Sequence, residues 1–258
     1  MKEVCPVCGS AAIVPTERFS KKYRCKACDE VFELTEKPAV KMIEKIIVEK
    51  PAEKKGLSPA EIYEKNIGSI IEITSYFSDM DARGTGFYIS DNGYLLTNLH
   101  VVVAQDGAKA ELCRECYGNG KSSDDDFELE VIYLDKDNDL ALLKADVKSK
   151  ALKLSDKLPA IGESVVAIGN VKGTGLSIVN GIIGDTERDF DGTPAFLFNA
   201  LVAGGCSGGP IFNEKGEVCG VTVGERKDAE GMKFGIPVEV VRNFLKRAER
   251  EKRLKLLS

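Results

Sequence analysis

The sequence predicts a mainly β fold, with a small metal-binding module before it and an amphipathic helix after it. From Ile67 to Pro237, short β-branched or aromatic runs alternate with turn residues. Such spacing over roughly 170 residues is typical of an all-β sandwich or barrel rather than of βαβ units. Two Cys-x-x-Cys pairs near the N-terminus and apolar residues at helical spacing near the C-terminus predict the two additional elements.

Length and composition restrict the class of protein. The chain has 258 residues, of which 43% are hydrophobic, so it can bury a sizeable core in one large or two smaller domains. The formal net charge of -5 argues against general nucleic-acid binding. No apolar run approaches the roughly 18 residues of a membrane span, and the opening MKEVCPVCGS lacks the apolar stretch of a secretory signal. We therefore expect a cytoplasmic protein without a membrane partner, whose cysteines are thiols or metal ligands rather than disulfides.

The first domain is predicted at residues 1–36 and contains four of the eight cysteines. Two Cys-x-x-Cys pairs, separated by a hairpin-sized insert, are typical of a tetrahedral thiolate zinc site and resemble a zinc ribbon. A segment this short builds little core, so metal binding would supply its folding energy. The alternative is four free thiols in a disordered tail. The expected ligands of one structural zinc ion per chain are Cys5, Cys8, Cys25 and Cys28.

Residues 37–57 are predicted to be a linker, because they are rich in lysine and glutamate and hold two prolines. An ordered domain is predicted from residue 58 to residue 258. It opens on a helix, since Ser58 suits an N-cap, Pro59 the first helical position, and Glu61 a capping box.

The C-terminal segment is predicted to be a helix that covers the β domain. Val241, Phe244, Leu245 and Ala248 form one apolar stripe, and basic residues crowd the far end. A solvated cationic face accounts for the basic residues better than a contact with nucleic acid or membrane.

The candidate chemistry centres on GGCSGGP, Gly204 to Pro210, where a cysteine and a serine are adjacent in a glycine-rich loop. Either side chain could be a nucleophile, or neither. A serine hydroxyl needs an adjacent base, and the base needs a third group that holds its tautomer. The chain has one histidine, His100, and Asp139 in DNDLALLK suits the third role.

Five segments resemble the HtrA/Deg proteases in order and spacing: GTGFYISDNGYLLTNLHVV, DNDLALLK, VVAIGN, IVNGIIG and GGCSGGPIFN. The resemblance extends from about Ser58 to Leu245 and implies a chymotrypsin-like double β-barrel with a C-terminal helix. It implies a catalytic triad of His100, Asp139 and Ser207, in the chain order of chymotrypsin. In the GxSGGP register Cys206 occupies the variable position, so Ser207 is the expected nucleophile.

The same resemblance implies an oxyanion hole made by the N–H groups of Gly205 and Ser207. The flexible pair Gly204-Gly205 favours a resting loop in which this hole is partly unformed. The family usually has asparagine where this chain has Cys206. Many family members continue into a peptide-binding PDZ domain, and we expect none here.

The substrate pocket is expected to be shallow and apolar. In chymotrypsin-like proteases the residues just before the nucleophile form the base of this pocket, and a strand after it forms the opposite wall. The corresponding residues here are Leu201, Val202, Val221, Thr222 and Val223. None carries a carboxylate, so we expect cleavage after small or medium aliphatic residues rather than after Arg or Lys.

The resulting hypothesis is an intracellular serine endopeptidase that hydrolyses protein or peptide substrates through an acyl-enzyme, in quality control or regulated proteolysis. A homo-oligomer is compatible with the resemblance. The alternative is a catalytically silent peptide-binding scaffold, recruited through a zinc ribbon that binds nucleic acid or protein. A further pair, Cys113 and Cys116, is compatible with a redox switch, half of a second metal site, or a structural thiol pair.

Overall fold

A computed structural model describes residues 4–16, 22–33, 56–106, 109–121, 125–225 and 232–256. The chain divides into two compact units, Met1–Lys55 and Gly56–Ser258. Most of the predicted linker at 37–57 lies outside the described residues, and the boundaries proposed from the sequence stay predictions. Among the described residues, no helix is both long and apolar enough to cross a membrane.

The first unit contains a three-stranded antiparallel sheet in the order β1-β2-β3. Its strands are β1 (Ile13–Pro15), β2 (Lys22–Cys25) and β3 (Val31–Glu33). Each Cys-x-x-Cys pair lies in or beside a tight turn, closed by hydrogen bonds from Gly9 N to Cys5 O and from Asp29 N to Cys25 O, both 2.9 Å. Such turns bring the two sulfurs of a pair to one side of the chain.

The second unit begins with helix α1 (Pro59–Asn66), followed by a 3-10 turn at Ile67–Ser69. The predicted capping box is present, since Glu61 N donates to Ser58 Oγ at 3.3 Å and Ser58 N donates to Glu61 Oε2 at 2.7 Å. A seven-stranded sheet and a two-stranded hairpin follow. Their elements are β4 (Ile70–Tyr76), β5 (Asp81–Tyr88), β6 (Tyr94–Thr97), α2 (Leu99–Val102), β7 (Val103–Asp106), β8 (Lys109–Leu112), β9 (Glu115–Gly120), β10 (Phe127–Glu128), β11 (Glu130–Asp135) and β12 (Leu140–Lys144).

The seven-stranded sheet has the order β10-β9-β4-β5-β6-β12-β11, and β7 pairs with β8 separately. This sheet is an incomplete barrel. Strand β10 has only two residues and is separated from β11 by Leu129 alone, so the chain has no room to turn back and pair them.

The remaining strands form a closed six-stranded barrel in the order β13-β14-β15-β18-β17-β16. A 3-10 turn at Val171–Gly173 follows the first of these strands, and helix α3 follows the last strand along the chain. The elements are β13 (Ser164–Asn170), β14 (Leu176–Phe190), β15 (Thr193–Phe198), β16 (Pro210–Phe212), β17 (Val218–Glu225), β18 (Lys233–Pro237) and α3 (Val238–Lys252). The predicted mainly β architecture with a C-terminal helix is thereby confirmed.

Helix α3 joins the two sheets. Its predicted apolar stripe is fully buried, and Phe244 packs against Tyr133 of β11 with ring centroids 5.5 Å apart. Arg242 donates to the carbonyl oxygens of Leu154 and Ser155 in the connection between the sheets, and Arg247 pairs with the buried Asp135. Because these contacts fix both sheets to one helix, loops from the two sheets can form a single site.

Candidate active site

The first sheet supplies a histidine–carboxylate pair. His100 lies in α2, just after β6, and Asp139 lies just before β12, which pairs with β6. His100 Nδ1 is 2.7 Å from Asp139 Oδ2, and the His100 backbone N–H donates to Oδ1 at 3.0 Å. An ionised carboxylate only accepts hydrogen bonds, so it holds the proton on Nδ1. The imidazole therefore keeps its Nε2 lone pair available to accept a proton.

The backbone around Asp139 is also held in place. Asp139 adopts a left-handed conformation with φ of 49°, at the end of a tight turn organised by the carboxylate of Asp135. Its carbonyl oxygen accepts hydrogen bonds from Leu99 N at 3.1 Å and from Asn98 Nδ2 at 2.9 Å. These bonds hold the Asp139 segment against the segment that leads into His100, without help from the hydrogen bond between the His100 and Asp139 side chains.

The second barrel supplies the loop of Ser207, which runs into β16. Ser207 O accepts from Thr85 N of β5 at 2.8 Å, which ties the loop to the first sheet. A Cβ on Gly208 would lie 2.2 Å from Thr97 Oγ1 and 3.0 Å from Asn98 N. Only glycine fits there, and the close approach places the serine loop against the segment that leads into His100.

The Ser207 hydroxyl makes a long hydrogen bond of 3.4 Å to the carbonyl oxygen of Val223, and it does not bond to His100. Bonds of this length are weak, so rotation of the hydroxyl towards His100 costs little. Catalytic hydrogen bonds are often long or misaligned before substrate binds.

Cys206 and Ser207 have different surroundings. Cys206 is buried in the core of the second barrel, and burial raises the pKa of its thiol. A Cβ added to Gly169 would lie 2.9 Å from the Cα of Cys206, so the cysteine packs closely against β13. Ser207 is only half-buried, in the loop that faces the histidine segment. A protonated, enclosed thiol is a poor nucleophile, so Ser207 is the better candidate of the two.

The N–H groups of Gly205 and Ser207 are oriented by the carbonyl groups that precede them. Gly204 O accepts from Lys172 N at 2.7 Å, and Cys206 O accepts from Gly209 N at 3.0 Å. In a trans peptide the N–H and the carbonyl of the same unit point in opposite directions. Each N–H therefore points away from the carbonyl oxygen that these hydrogen bonds hold in place. These two hydrogen bonds restrain the directions of the N–H groups, and the expected partly unformed resting state stays a prediction.

The predicted pocket residues divide into exposed and buried ones. Val202, Val221, Thr222 and Val223 are buried, whereas Leu201 is 85% exposed. Leu201 therefore faces solvent, and its role in the substrate pocket stays a prediction. Val202 N donates to Ala200 O across a turn, which leaves Leu201 at the tip and directs it to solvent.

Thr85 and Asn98 are two further residues of this region that the sequence did not single out. Thr85 Oγ1 donates to Gly205 O at 2.7 Å and accepts from Asn170 N at 2.9 Å, and its side chain is fully buried. Asn98 is also fully buried, and its Oδ1 has no hydrogen-bond partner among the described residues. Neither role is apparent from the local sequence, because the partners of both side chains lie far along the chain.

The four N-terminal cysteines are brought together as predicted. Their Sγ atoms all lie within 4.8 Å of one another, with Cys5 to Cys28 at 3.7 Å and Cys8 to Cys25 at 3.5 Å. This is the one group of three or more potential metal ligands in the described part of the chain.

A histidine–aspartate pair beside a glycine-rich serine loop, placed between two β-sheets, defines the class of chymotrypsin-like serine peptidases. A family model for the trypsin-like peptidase domain matches residues 84–221, and the chain belongs to that family. The resemblance to HtrA/Deg proteases is confirmed by the relatives that follow.

Two curated relatives illustrate the similarity. The chain is 36% identical to a probable periplasmic serine endoprotease DegP-like of Rhizobium meliloti, over 64% of this chain and 32% of the relative. It is 33% identical to serine protease HTRA1A of Danio rerio, over 72% of this chain and 40% of the relative. The chain thus spans between about a third and two-fifths of the length of these relatives.

Solved structures show the same fold. The serine endoprotease of Yersinia pestis aligns with a TM-score of 0.65 at 24% identity, over 79% of this chain and 69% of that one. The HtrA-type protease AlgW with a tripeptide aligns with a TM-score of 0.65 at 25% identity, over 73% of this chain and 62% of that one.

The expected cytoplasmic location is wrong in view of these relatives. Those from Rhizobium meliloti, Pseudomonas putida and Ectopseudomonas mendocina are named as periplasmic proteases. The expectation came from the composition of the first ten residues. That observation carries less weight than the compartment of several relatives matched over more than half of the chain.

Proposed function

We propose that this chain is a serine endopeptidase of the HtrA type. The observation that carries the proposal is the pairing of His100 with both carboxylate oxygens of Asp139, in a segment that packs against the Ser207 loop. This arrangement orients one imidazole and leaves its Nε2 free, and it lies in a segment next to the loop that carries the partly exposed Ser207 hydroxyl. Serine activation requires these features.

In the proposed reaction the Ser207 hydroxyl rotates from the Val223 carbonyl to His100 Nε2. His100 takes the hydroxyl proton as Oγ attacks the scissile carbonyl carbon, and Asp139 stabilises the imidazolium. The carbonyl oxygen becomes an oxyanion that the N–H groups of Gly205 and Ser207 bind. His100 then gives its proton to the leaving amine, and an acyl-enzyme remains. Water, deprotonated by His100, hydrolyses the ester and restores Ser207.

Cleavage is expected after small or medium aliphatic residues. The segments predicted to form the pocket, around Val202 and from Val221 to Val223, carry no carboxylate, so a buried Arg or Lys of the substrate would stay uncompensated. Selection among aliphatic residues should be weak, because one methylene is worth about 1–3 kcal/mol in such a pocket. The measurement is a digest of an unfolded model protein, with cut sites assigned by mass spectrometry and a parallel digest by the Ser207→Ala variant.

Two outcomes of that digest would contradict the proposals. A preference for Arg or Lys before the cut would show that the pocket lies on other residues. Cleavage no greater than that by Ser207→Ala would contradict the peptidase proposal. It would favour the peptide-binding scaffold, which the bond of Ser207 to Val223 rather than to His100 supports.

Replacing Thr85 by valine is expected to lower kcat by about two orders of magnitude with little change in KM. Valine keeps the shape but leaves Gly205 O and Asn170 N without their hydrogen bonds. The Gly204–Ser207 loop is then no longer held in position. A displacement of about 1 Å in a catalytic group lowers the reaction rate about a hundredfold. Steady-state kinetics with a peptide ester would measure the effect.

Thr85→Ser is the matched control, because it restores the hydroxyl and should recover most of the activity. Thermal unfolding of both variants separates a positioning role from simple destabilisation. If valine lowers the melting temperature but not kcat, Thr85 does not position the nucleophile loop.

We further propose that the N-terminal cysteines bind one structural zinc ion. A tetrahedral ion with Zn–S bonds of about 2.3 Å holds its sulfurs about 3.8 Å apart. The Sγ separations of 3.5 Å between Cys8 and Cys25 and 3.7 Å between Cys5 and Cys28 match that geometry. Four thiolates complete the coordination sphere, so the ion would stabilise the first unit and leave no position for a catalytic water.

The zinc prediction is tested by metal analysis of the full chain. Cys8→Ser combined with Cys28→Ser should lower the content from one zinc per chain to none and leave hydrolysis of short peptides within about twofold, since zinc stabilises the first unit only. The matched control is Cys113→Ser combined with Cys116→Ser, which also removes two thiols and should keep the metal. Zinc retained by the first variant would contradict the assignment.

We propose that the enzyme acts on protein or peptide substrates in quality control or regulated proteolysis. The names of the relatives support a setting in the periplasm, and AlgW with a tripeptide supports peptide recognition by this fold. Neither the relatives nor the solved structures name a nucleic-acid or protein partner for a zinc ribbon, and such a partner stays a prediction.

A further inference from the structure

A second pair of cysteines lies away from both the candidate triad and the metal cluster. Cys113 follows β8 directly, and Cys116 is the second residue of β9. Neither residue takes part in the proposed hydrolysis. Both are free thiols in this structure.

The backbone bends between the two cysteines and is held on both sides of the bend. Cys113 N donates to Val102 O at 2.9 Å, and Arg114 N donates to Tyr76 O at 2.8 Å. Cys116 then enters the sheet opposite Ser75 of β4. Only Arg114 and Glu115 separate the two cysteines at this bend, and both cysteine side chains contact the same apolar cluster of the first sheet.

The two thiols differ in accessibility. Cys116 is 2% exposed, and its Sγ lies 3.4 Å from the hydroxyl of the fully buried Ser75. Cys113 is only partly buried, so an external reagent can reach its sulfur first.

The pKa values of the two thiols differ in the same sense as their accessibility, with the lower pKa on the more accessible Cys113. The hydrogen bond with the Cys116 thiol lowers the pKa of Cys113, against the opposing effect of partial burial. The bond with Cys113 and burial both raise the pKa of Cys116. Thiolate character therefore concentrates on the more accessible of the two sulfurs, as in dithiols that exchange with disulfides.

A metal site fits this pair poorly. A structural zinc ion needs about four N or S ligands. The described residues bring no third histidine, cysteine or carboxylate to these two thiols. The two remaining interpretations, a redox pair and a structural thiol pair, involve the two sulfurs alone.

We propose that Cys113 and Cys116 form a redox-active dithiol that is oxidised to an intramolecular disulfide by exchange with external disulfides, with Cys113 as the attacking thiol. The Cys113 thiolate attacks one sulfur of the external disulfide, forms a mixed disulfide and releases one thiolate. Cys116 loses its proton and attacks the Cys113 sulfur, which releases the second external thiol. The protein dithiol loses two electrons, and the external disulfide gains them.

The site adjoins the proposed catalytic machinery. The carbonyl that holds Cys113 N belongs to Val102, the last residue of the helix that contains His100. Oxidising compartments such as the periplasm, named for several relatives, supply disulfides of the required class. The proposal concerns the thiols alone and does not depend on peptidase activity.

The test is disulfide mapping of the reduced full-length chain after incubation with glutathione disulfide and quenching with N-ethylmaleimide. Arg114 lies between the two cysteines, so trypsin separates them into AELCR and ECYGNGK. We expect these two peptides to be recovered as one disulfide-linked species. Cysteines of the N-terminal cluster fall on other tryptic peptides and are scored separately.

Two single variants test the order of attack. Cys116→Ser should stop at a glutathione adduct on Cys113, and Cys113→Ser should form an adduct on Cys116 at least about tenfold more slowly, because that thiol is buried and protonated. Equal adduct rates, or an adduct on Cys113 in Cys116→Ser with no linked peptide from the unmodified chain, would overturn the proposal. Cys116→Ala, checked by thermal unfolding, replaces Cys116→Ser if the serine variant does not fold.

Discussion

Replacing Ser207 by alanine is expected to lower kcat for peptide hydrolysis by about a millionfold, because the group that forms the acyl-enzyme is removed. Residual hydrolysis would come from the oxyanion hole and substrate binding alone. Folding should be unaffected, since Ser207 is half-buried and its hydroxyl makes only a long bond to Val223. The measurements are single-turnover hydrolysis of an activated ester and labelling of the full chain by a fluorophosphonate.

Cys206→Ala is the matched control, because it changes the adjacent side chain in the same loop. The thiol is buried in the second barrel and contributes packing only, so this variant should keep kcat within about tenfold and label normally. An inactive Cys206→Ala with an active Ser207→Ala would reverse the assignment of the nucleophile.

Much of the fold could be predicted from local patterns. The two Cys-x-x-Cys turns are short-range features, and the sulfurs of each pair converge within a few residues. The capping box at Ser58 and the apolar stripe of α3 also depend on residues only three or four positions apart in the sequence. Such patterns depend on backbone geometry that the local sequence determines.

The role of Thr85 could not be predicted in this way. Its hydroxyl contacts Gly205, which lies 120 residues further along the chain, and GTG is compatible with many kinds of strand or turn. Only the folded arrangement of two sheets brings these residues together. The same holds for Asn98, whose amide reaches the carbonyl of Asp139.

The exposure of Leu201 could not be predicted for a different reason. An apolar residue near a nucleophile was expected to line a pocket, but a loop has no side-chain period that separates inside from outside. The turn from Ala200 to Val202 buries one side chain and exposes its neighbour. The open first sheet was likewise unpredictable, because closure depends on whether β10 and β11 can pair across Leu129.

Replacing Asp139 by asparagine is expected to lower kcat by about ten-thousandfold at neutral pH, with the fold intact. Asparagine tolerates the left-handed backbone at this position, and the bonds from Leu99 N and Asn98 Nδ2 to the main-chain carbonyl remain. The amide oxygen of the asparagine can still accept a hydrogen bond from the backbone N–H of His100. Its NH₂ group then faces Nδ1 and donates to it, which places the imidazole proton on Nε2. That tautomer cannot accept the proton of Ser207.

The control is Asp137→Asn, which makes the same change of charge on an exposed residue of the same turn and should keep full activity. The loss should appear in kcat and in the rate of fluorophosphonate labelling, while KM changes little, because Asp139 acts through His100 and not on the substrate. Thermal unfolding of both variants checks that the turn still folds. If Asp139→Asn loses less than about tenfold in kcat while Ser207→Ala is inactive, the carboxylate does not set the histidine tautomer, and a different group must orient His100.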